Sequence, residues 1–384
     1  MTNKFYDVIV CGGGIQGLWT THYLAERNKN VLLLEQFPVP HTRGSSHGPS
    51  RITRYSYIDR HYAMMMPEAF KRWNELEMKT SSKLFLNSGV LSLLTEEDAQ
   101  PMLKCLSDLS ISYEIFQPSE IKQRFPGLIV NNNFIGIYEK SGGILKADQC
   151  IKSLQESILS FGGKIHDGEK VIKITPVSKG EVVVTTNKGS YRSKSMVLTC
   201  GPWTQKVLTG LDLNIPITPT RICVAYWKAK NPVLYQANKK FPALIFYEKD
   251  HIYSTPIMEY PDLMKVCCHT GPIIDPDQRD CYDSASFDLS MKVLKSSIKK
   301  HFPNLIPEPA VLETCIYSVT PDKDCILDCH PQHKNIIVGA GFSGSGFKIS
   351  PVVGRILGQL ALHEEVQDEI GTFSLQRFKA ISHL

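Results

Sequence analysis

The chain has 384 residues, 42% of them hydrophobic and 21% charged, with a formal net charge of +5. That length makes two domains the prior expectation, and the composition is ordinary for a globular protein. Lys and Arg are scattered rather than set in a stripe with aromatics, which argues against nucleic acid, and no apolar run is long enough to span a membrane. The first predicted element is a strand over 6–10, followed by the turn Cys11-Gly12-Gly13-Gly14-Ile15-Gln16-Gly17 and a helix over 15–27. The spacing Gly12-x-Gly14-x-x-Gly17 lets the backbone turn tightly, approach a pyrophosphate and pack helix on strand. The helix N-terminus then favours phosphate charge. Glu35, closing the apolar run 31–34, is placed to accept from ribose hydroxyls.

A polar loop over 38–50 follows, then a helix over about 62–78 carried by Met65, Phe70, Trp73 and Leu76. Residues 84–138 mix short strands and helices and depart from the nucleotide fold. An amphipathic helix is expected over 147–161, ending at Gly162-Gly163, with alternating strands over 170–174 and 180–185. The run 195–200 reads as a buried strand stopped by Gly201-Pro202. Aromatic and β-branched residues dominate 219–268, which predicts an antiparallel sheet rather than βαβ units. A helix over 287–301, a strand over 311–320 and the apolar run 336–338 lead to a second turn, Gly339-Ala340-Gly341-Phe342-Ser343-Gly344-Ser345-Gly346. The last helix is expected over 350–363.

A nicotinamide domain has no obvious use for a second glycine turn at the far end of the chain. A long two-ring cofactor such as FAD, gripped at both ends, has. The expected fold is α/β: a discontinuous Rossmann-type FAD-binding domain (1–84, 145–218, 316–384) interleaved with a mixed, mainly antiparallel-sheet substrate domain (85–144, 219–315). The eleven cysteines are odd in number and lack paired CxxC spacing, which fits free thiols in a reducing compartment. Cys325-x-x-x-Cys329-His330-x-x-His333 invites a metal reading, but its spacing is not that of a zinc site, and no metal is expected.

Other residues carry chemistry with two readings each. Cys315 is either a small buried hydrophobe or a thiol that attacks the activated 8-methyl group of a flavin. Arg51 and Arg54 are either solvated arginines or a fork for a carboxylate. Lys348 follows the second turn where a helix begins, a place the macrodipole makes poor for a cation unless an anion is near. Lys265, among Leu263, Met264 and Val266, is either the exposed face of a strand or a fixed charge in a site.

Four stretches resolve these pairs: Arg43-Gly44-Ser45-Ser46-His47-Gly48 with Arg51 and Arg54, Leu263-Met264-Lys265-Val266 with His269, Cys315-Ile316-Tyr317 followed by Thr320-Pro321-Asp322, and Gly339 through Lys348. Together they resemble the monomeric and peroxisomal sarcosine oxidase family, which includes L-pipecolate oxidase, over essentially the whole chain. The resemblance implies a flavin amine oxidase with FAD bonded to Cys315. It places the substrate carboxylate between Arg54 and Lys348, Arg51 against the flavin, and Lys265 over the opposite flavin face as the oxygen-activating cation. His269, Tyr253 and Tyr317 match positions lining the substrate cavity. Cofactor contacts are implied for Gly12, Gly14, Ile15, Gln16, Gly17, Glu35, Gln36, Arg43, Ser45, Ser46, His47, Val171, Cys200, Gly201 and Trp203. At the second turn they are implied for Gly341, Phe342, Ser343, Gly344, Gly346 and Lys348.

The implied reaction is oxidation of a secondary α-amino acid at its C–N bond, with O2 as acceptor and hydrogen peroxide released. Sarcosine would give glycine and formaldehyde; L-pipecolate would give a cyclic imine. Ser345 stands where relatives commonly have His and Ser254 where they have Gly, and Cys268 and Cys325 replace bulkier residues, which leaves the preferred amine open. The rival readings are a dehydrogenase that passes electrons to a carrier protein and a non-catalytic nucleotide-binding protein of the same fold. The closing Ser382-His383-Leu384 resembles a peroxisomal address, so a peroxisomal monomer met by an import receptor is expected.

Overall fold

The computed structural model describes residues 4–177, 180–249, 251–280 and 284–378; Ser382-His383-Leu384 lies outside the described residues. Near the N-terminus, Val31–Leu34 is a run of four apolar residues, all buried. A strand that is apolar on both faces needs cover on both faces, which a parallel sheet with crossing helices provides. Phe5–Cys11 pairs in parallel with Val31–Leu34 and with Ser190–Leu198, and Ser190–Leu198 pairs in parallel with Ile336–Ala340. The sheet runs Val171–Val177, Glu181–Thr186, Ser190–Leu198, Phe5–Cys11, Val31–Leu34, Lys164–His166, with Ile326–Cys329 antiparallel to Ile336–Ala340. Helix Ile15–Glu26 packs against helices Ala147–Ser160 and Gly346–Ala361, so elements from the start, middle and end of the chain share one core.

A second eight-stranded sheet holds Leu305–Val319, Thr218–Ala229, Leu263–Cys268, Ile252–Tyr260, Ala243–Phe246, Val90–Thr95, Phe134–Glu139 and Tyr113–Phe116, in that order. Its ladders are antiparallel except for one parallel pair, Ala243–Phe246 with Val90–Thr95. The antiparallel sheet expected over 219–268 is therefore part of a wider sheet, closed by strands from more than a hundred residues earlier. A small third sheet, Ser50–Thr53, Gly143–Lys146 and Phe85–Leu86, joins the two and carries Arg51 opposite Leu145. The cuts placed at 144/145 and 315/316 fall inside strands Gly143–Lys146 and Leu305–Val319.

The expected helices form at 15–26, 60–80, 147–160 and 284–301. The last one differs. It starts at Gly346 rather than near 350, so the final glycine of the second turn is itself helical and Lys348 lies in the first helical turn. No helix of the described residues is long and apolar enough to cross a membrane.

Candidate active site

A cavity of about 1450 Å³ runs from the first glycine turn, past the small third sheet, to the second. It exceeds the roughly 300–1,000 Å³ of ordinary small-molecule sites, as a long ligand plus a substrate requires. At one end Gly12, with φ of +104°, lies against Thr199 and Cys200 at the end of the neighbouring strand. Gly17 is there for packing: a Cβ would come 1.9 Å from the Gly12 carbonyl oxygen, so only glycine lets the helix lie on the strand. Glu35 fastens the turn, its carboxylate accepting from Gly13 N at 2.7 Å and Phe37 N at 2.9 Å. Each carboxylate oxygen keeps a further lone pair for a ribose hydroxyl. Ser46 Oγ accepts from Ile15 N at 2.9 Å, and Gln16 Nε2 donates to the Gly346 carbonyl at 2.9 Å, tying the two glycine turns together.

Gln36, Val171, Cys200, Gly201 and Trp203 line the same end, with Trp203 Nε1 donating to Asp277 at 2.7 Å. Gly17 and Gly341 are not in the cavity wall, and Arg43 departs from the cofactor role expected of it. Its guanidinium pairs with Asp280 and covers the Phe37 ring. The residues fit FAD on structural grounds. Gly12, Gly13 and Gly14 add no side chain of their own to the cradle, and Gln16 Oε1, buried beside it, has no hydrogen-bond partner among the described residues.

Midway, the loop 44–47 meets strand Leu305–Val319. Ser45 Oγ donates to the Ile316 carbonyl, and the Cys315 thiol, buried in the cavity wall, faces the Ser45 carbonyl at 3.8 Å. Desolvation pushes the His47 pKa down to about 4, aided by Arg51 and Arg279, so the ring is neutral at neutral pH. The His47 Nδ1 then donates to the Gly44 carbonyl at 2.6 Å. Arg51 gives its guanidinium to the carbonyls of Ser50 (2.6 Å), Ser45 (2.8 Å) and His47 (2.6 Å), which fixes a positive charge against the middle of the cavity.

Beyond it lies Arg54, 9% exposed, donating to the Ser56 carbonyl at 2.8 Å and to Tyr247 Oη at 3.2 Å, with Tyr57 beneath its guanidinium. The backbone around it is held by Glu139, a fully buried carboxylate that accepts from Tyr55 N at 2.9 Å, Ser56 N at 2.8 Å and Ser141 Oγ at 3.0 Å. Lys348 approaches the same Tyr57 ring at 5.5 Å. Burial, then Arg54 and Arg51, hold its pKa well below the usual lysine range. Neither cation forms an ion pair with a carboxylate among the described residues.

The wall between these cations and Cys315 is aromatic. His269 stacks on Tyr253 with ring centroids 4.6 Å apart, and its Nδ1 is 3.1 Å from Tyr317 Oη. Desolvation and the nearby Lys348 press the His269 pKa down to about 3, while burial raises both tyrosines, so all three groups are neutral. Gly344, with φ of +92°, keeps the second turn close to Tyr317: a Cβ there would meet that ring at 2.8 Å.

Lys265 is in the cavity wall too, but its setting is different. Its Nζ is 3.5 Å from Glu259 Oε1 and donates to Ser50 Oγ at 3.2 Å. Glu259 is a site residue the sequence reading missed. A regular hairpin turning at Pro261-Asp262 would have paired residue 259 with 264 and residue 258 with 265; the ladder instead slips between Thr255 and Tyr260, and no periodicity marks such a slip. Ser50, Glu139 and Tyr247 were also missed, since a lone Ser, Glu or Tyr carries no spacing signal. Among the described residues no cluster of three or more His, Cys, Asp or Glu is placed to hold a metal ion. His330 is spent on structure, its Nε2 bonded to the Leu211 carbonyl at 2.8 Å.

The family model described as DAO, FAD dependent oxidoreductase, matches residues 7–360. Peroxisomal sarcosine oxidase of Mus musculus is 42% identical over 384 residues, covering 98% of this chain and 97% of its own. The Homo sapiens protein of the same name is 40% identical over 381 residues, with the same coverage of both chains. Among solved structures, the open form of NikD, an unusual amino acid oxidase essential for nikkomycin biosynthesis, superposes with a TM-score of 0.81 at 24% identity, covering 97% of each chain. At that identity the likeness speaks for the fold.

Proposed function

Since the chain belongs to the DAO family of FAD dependent oxidoreductases, and within it to the sarcosine oxidases, we propose that it oxidises a small secondary α-amino acid, sarcosine or L-pipecolate, at the C–N bond with O2 as acceptor. It is an FAD-dependent amine oxidoreductase. When bound, FAD supplies the two-electron acceptor for the amine and the donor to O2, which becomes hydrogen peroxide. The protein's own residues bind, orient and exclude. Gly12, Gly14, Gln16, Glu35, Gln36, Ser46, Val171, Cys200, Gly201 and Trp203 would hold the nucleotide half. Ser45, His47, Arg51, Cys315, Phe342, Ser343, Gly344 and Gly346 would hold the ring half.

The observation that carries the substrate class is the pair Arg54 and Lys348. Two cations share one enclosed wall and neither has a carboxylate ion pair among the described residues, a costly arrangement that a substrate carboxylate relieves. The neutral wall of Tyr253, His269 and Tyr317 then leaves the uncharged amine form as the better guest, and that form has the nitrogen lone pair that oxidation needs. Net reaction of sarcosine consumes O2 and water and yields glycine, formaldehyde and hydrogen peroxide.

In this reading Cys315 is the covalent anchor of FAD, with yellow colour staying in the pellet after acid precipitation. The chain divides into an FAD-binding domain (1–84, 145–218, 316–384) and a substrate domain (85–144, 219–315), and it works as a monomer. Its compartment is the peroxisome, which two relatives carry in their names and which Ser382-His383-Leu384 would address through an import receptor. A substrate panel read by peroxide release tests the function. Sarcosine and L-pipecolate should release peroxide, whereas their esters and N-methylamines without a carboxylate should not. Substrate-dependent reduction without oxygen uptake would instead make the protein a dehydrogenase.

A further inference from the structure

Of Arg51, Arg54, Lys265 and Lys348, the four cations placed along the middle and far end of the cavity, Lys265 is the one with a carboxylate ion pair among the described residues. Glu259 lies at the end of strand Ile252–Tyr260 with its side chain 3% exposed. Its Oε1 accepts from Ser50 Oγ–H, and its Oε2 accepts from Tyr226 Oη–H. Ser50 spends its one hydrogen on Glu259, so its oxygen is free to accept from Lys265 Nζ at 3.2 Å. The three donors therefore run in one direction toward the carboxylate. Without them that carboxylate would be an unpaired interior charge, which is strongly unfavourable.

The other titratable groups around Lys265 are few. Strand Thr218–Ala229 contributes Tyr226, whose ring is 5.7 Å from Nζ, and strand Leu263–Cys268 itself contributes the Cys267 thiol. Strand Leu305–Val319 contributes Glu313, which is engaged by Tyr260 Oη at 2.8 Å. Glu259 is thus the anion in direct ion-pair contact with Lys265, and it also lines a second recess of about 440 Å³ with Pro49, Lys83, Lys146 and Met258.

We propose that Glu259, acting through Ser50, is the positioning residue that holds the Lys265 ammonium in place and aims it into the cavity during oxygen reduction. This rests on the reading that Lys265 serves oxygen. Negative charge develops on oxygen as the first electron arrives, and a preset cation stabilises it without reorganisation. Without the carboxylate, Ser50 and the lysine lose the partner that fixes where the ammonium points.

The test separates the two half-reactions in the FAD-loaded protein. Reduction by sarcosine without oxygen and reoxidation by O2 are followed by flavin absorbance for wild type, Glu259→Gln, Lys265→Met and the double variant. Glu259→Gln should reduce within about twofold of wild type and reoxidise about tenfold or more slowly at neutral pH, the loss expected from about 1.4 kcal/mol less stabilisation. Glu259→Asp, which keeps a carboxylate, should regain part of the lost reoxidation rate, a rescue that a purely structural defect would not give. The double variant should be no slower than Lys265→Met alone. Unchanged reoxidation in Glu259→Gln, or loss with no rescue in Glu259→Asp, overturns the proposal. If Lys265→Met slows only reduction, the oxygen reading of Lys265 fails. Coupling of Glu259 to Lys265 would then appear in the reductive half of the same data.

Discussion

Two lysines in one cavity wall have opposite environments. Lys265 sits mid-strand with Glu259 at 3.5 Å and Ser50 at 3.2 Å, a cation supplied with its own anion. Lys348 sits in the first turn of a helix, beside Arg54 and Arg51, where burial and both guanidinium groups drive its pKa down. The first lysine is complete without substrate. The second is complete only when an anion arrives, and the macrodipole at that helix start deepens its need. A permanent charge suits a step that creates negative charge, and a conditional one suits recognition.

The largest effects should come from breaking the conditional side. Arg54→Ala and Lys348→Ala should each weaken amino-acid binding by roughly thirty- to several-thousand-fold, the cost of about 2–5 kcal/mol for removing one charged partner in a buried site. FAD should remain attached in both, as absorbance of the purified protein will show. A smaller effect is expected one layer out. Glu139→Gln weakens the hold on Tyr55 N and Ser56 N, so the Arg54 segment loosens and amino-acid affinity should fall about tenfold, or about 1.4 kcal/mol, with less change in turnover.

The smallest effect concerns His269. A ring whose pKa lies at about 3 stays neutral above that value, so His269→Asn should leave the shape of the pH–rate profile unchanged between about pH 5 and 9 while lowering its height. A limb that disappears in this variant would show that the ring titrates in the working range.

The sequence made the two ends of the cavity legible because each end is a local pattern. A strand, a glycine turn, a helix and Glu35 fall within one short segment, and the second turn with Lys348 falls within another. What joins them was not legible. The parallel pairing of Ala243–Phe246 with Val90–Thr95 links residues about 150 apart, and nothing local selects that partner. Glu259 escaped because a bulge shifts the hairpin register, and Glu139 because an isolated acid before a Lys-Ser-Gly-Gly turn looks like any surface carboxylate. Arg43 shows the reverse failure. Its motif is local and clear, but a distant aspartate, Asp280, decides where the guanidinium points.

The central claim is that Lys348 awaits a carboxylate, and proton counting tests it most directly. In the free protein its pKa lies below the usual 10.5, and an adjoining carboxylate raises it. Between the two values binding must take up a proton, so affinity falls as pH rises through that window, by up to about tenfold per pH unit. Calorimetric titration of the FAD-loaded protein with a simple carboxylate such as acetate, in buffers of different ionisation enthalpy, gives the number of protons directly. The account predicts net uptake at alkaline pH that disappears in Lys348→Met. Binding with no proton uptake at any pH up to about 10.5, or the same uptake in Lys348→Met, would contradict it.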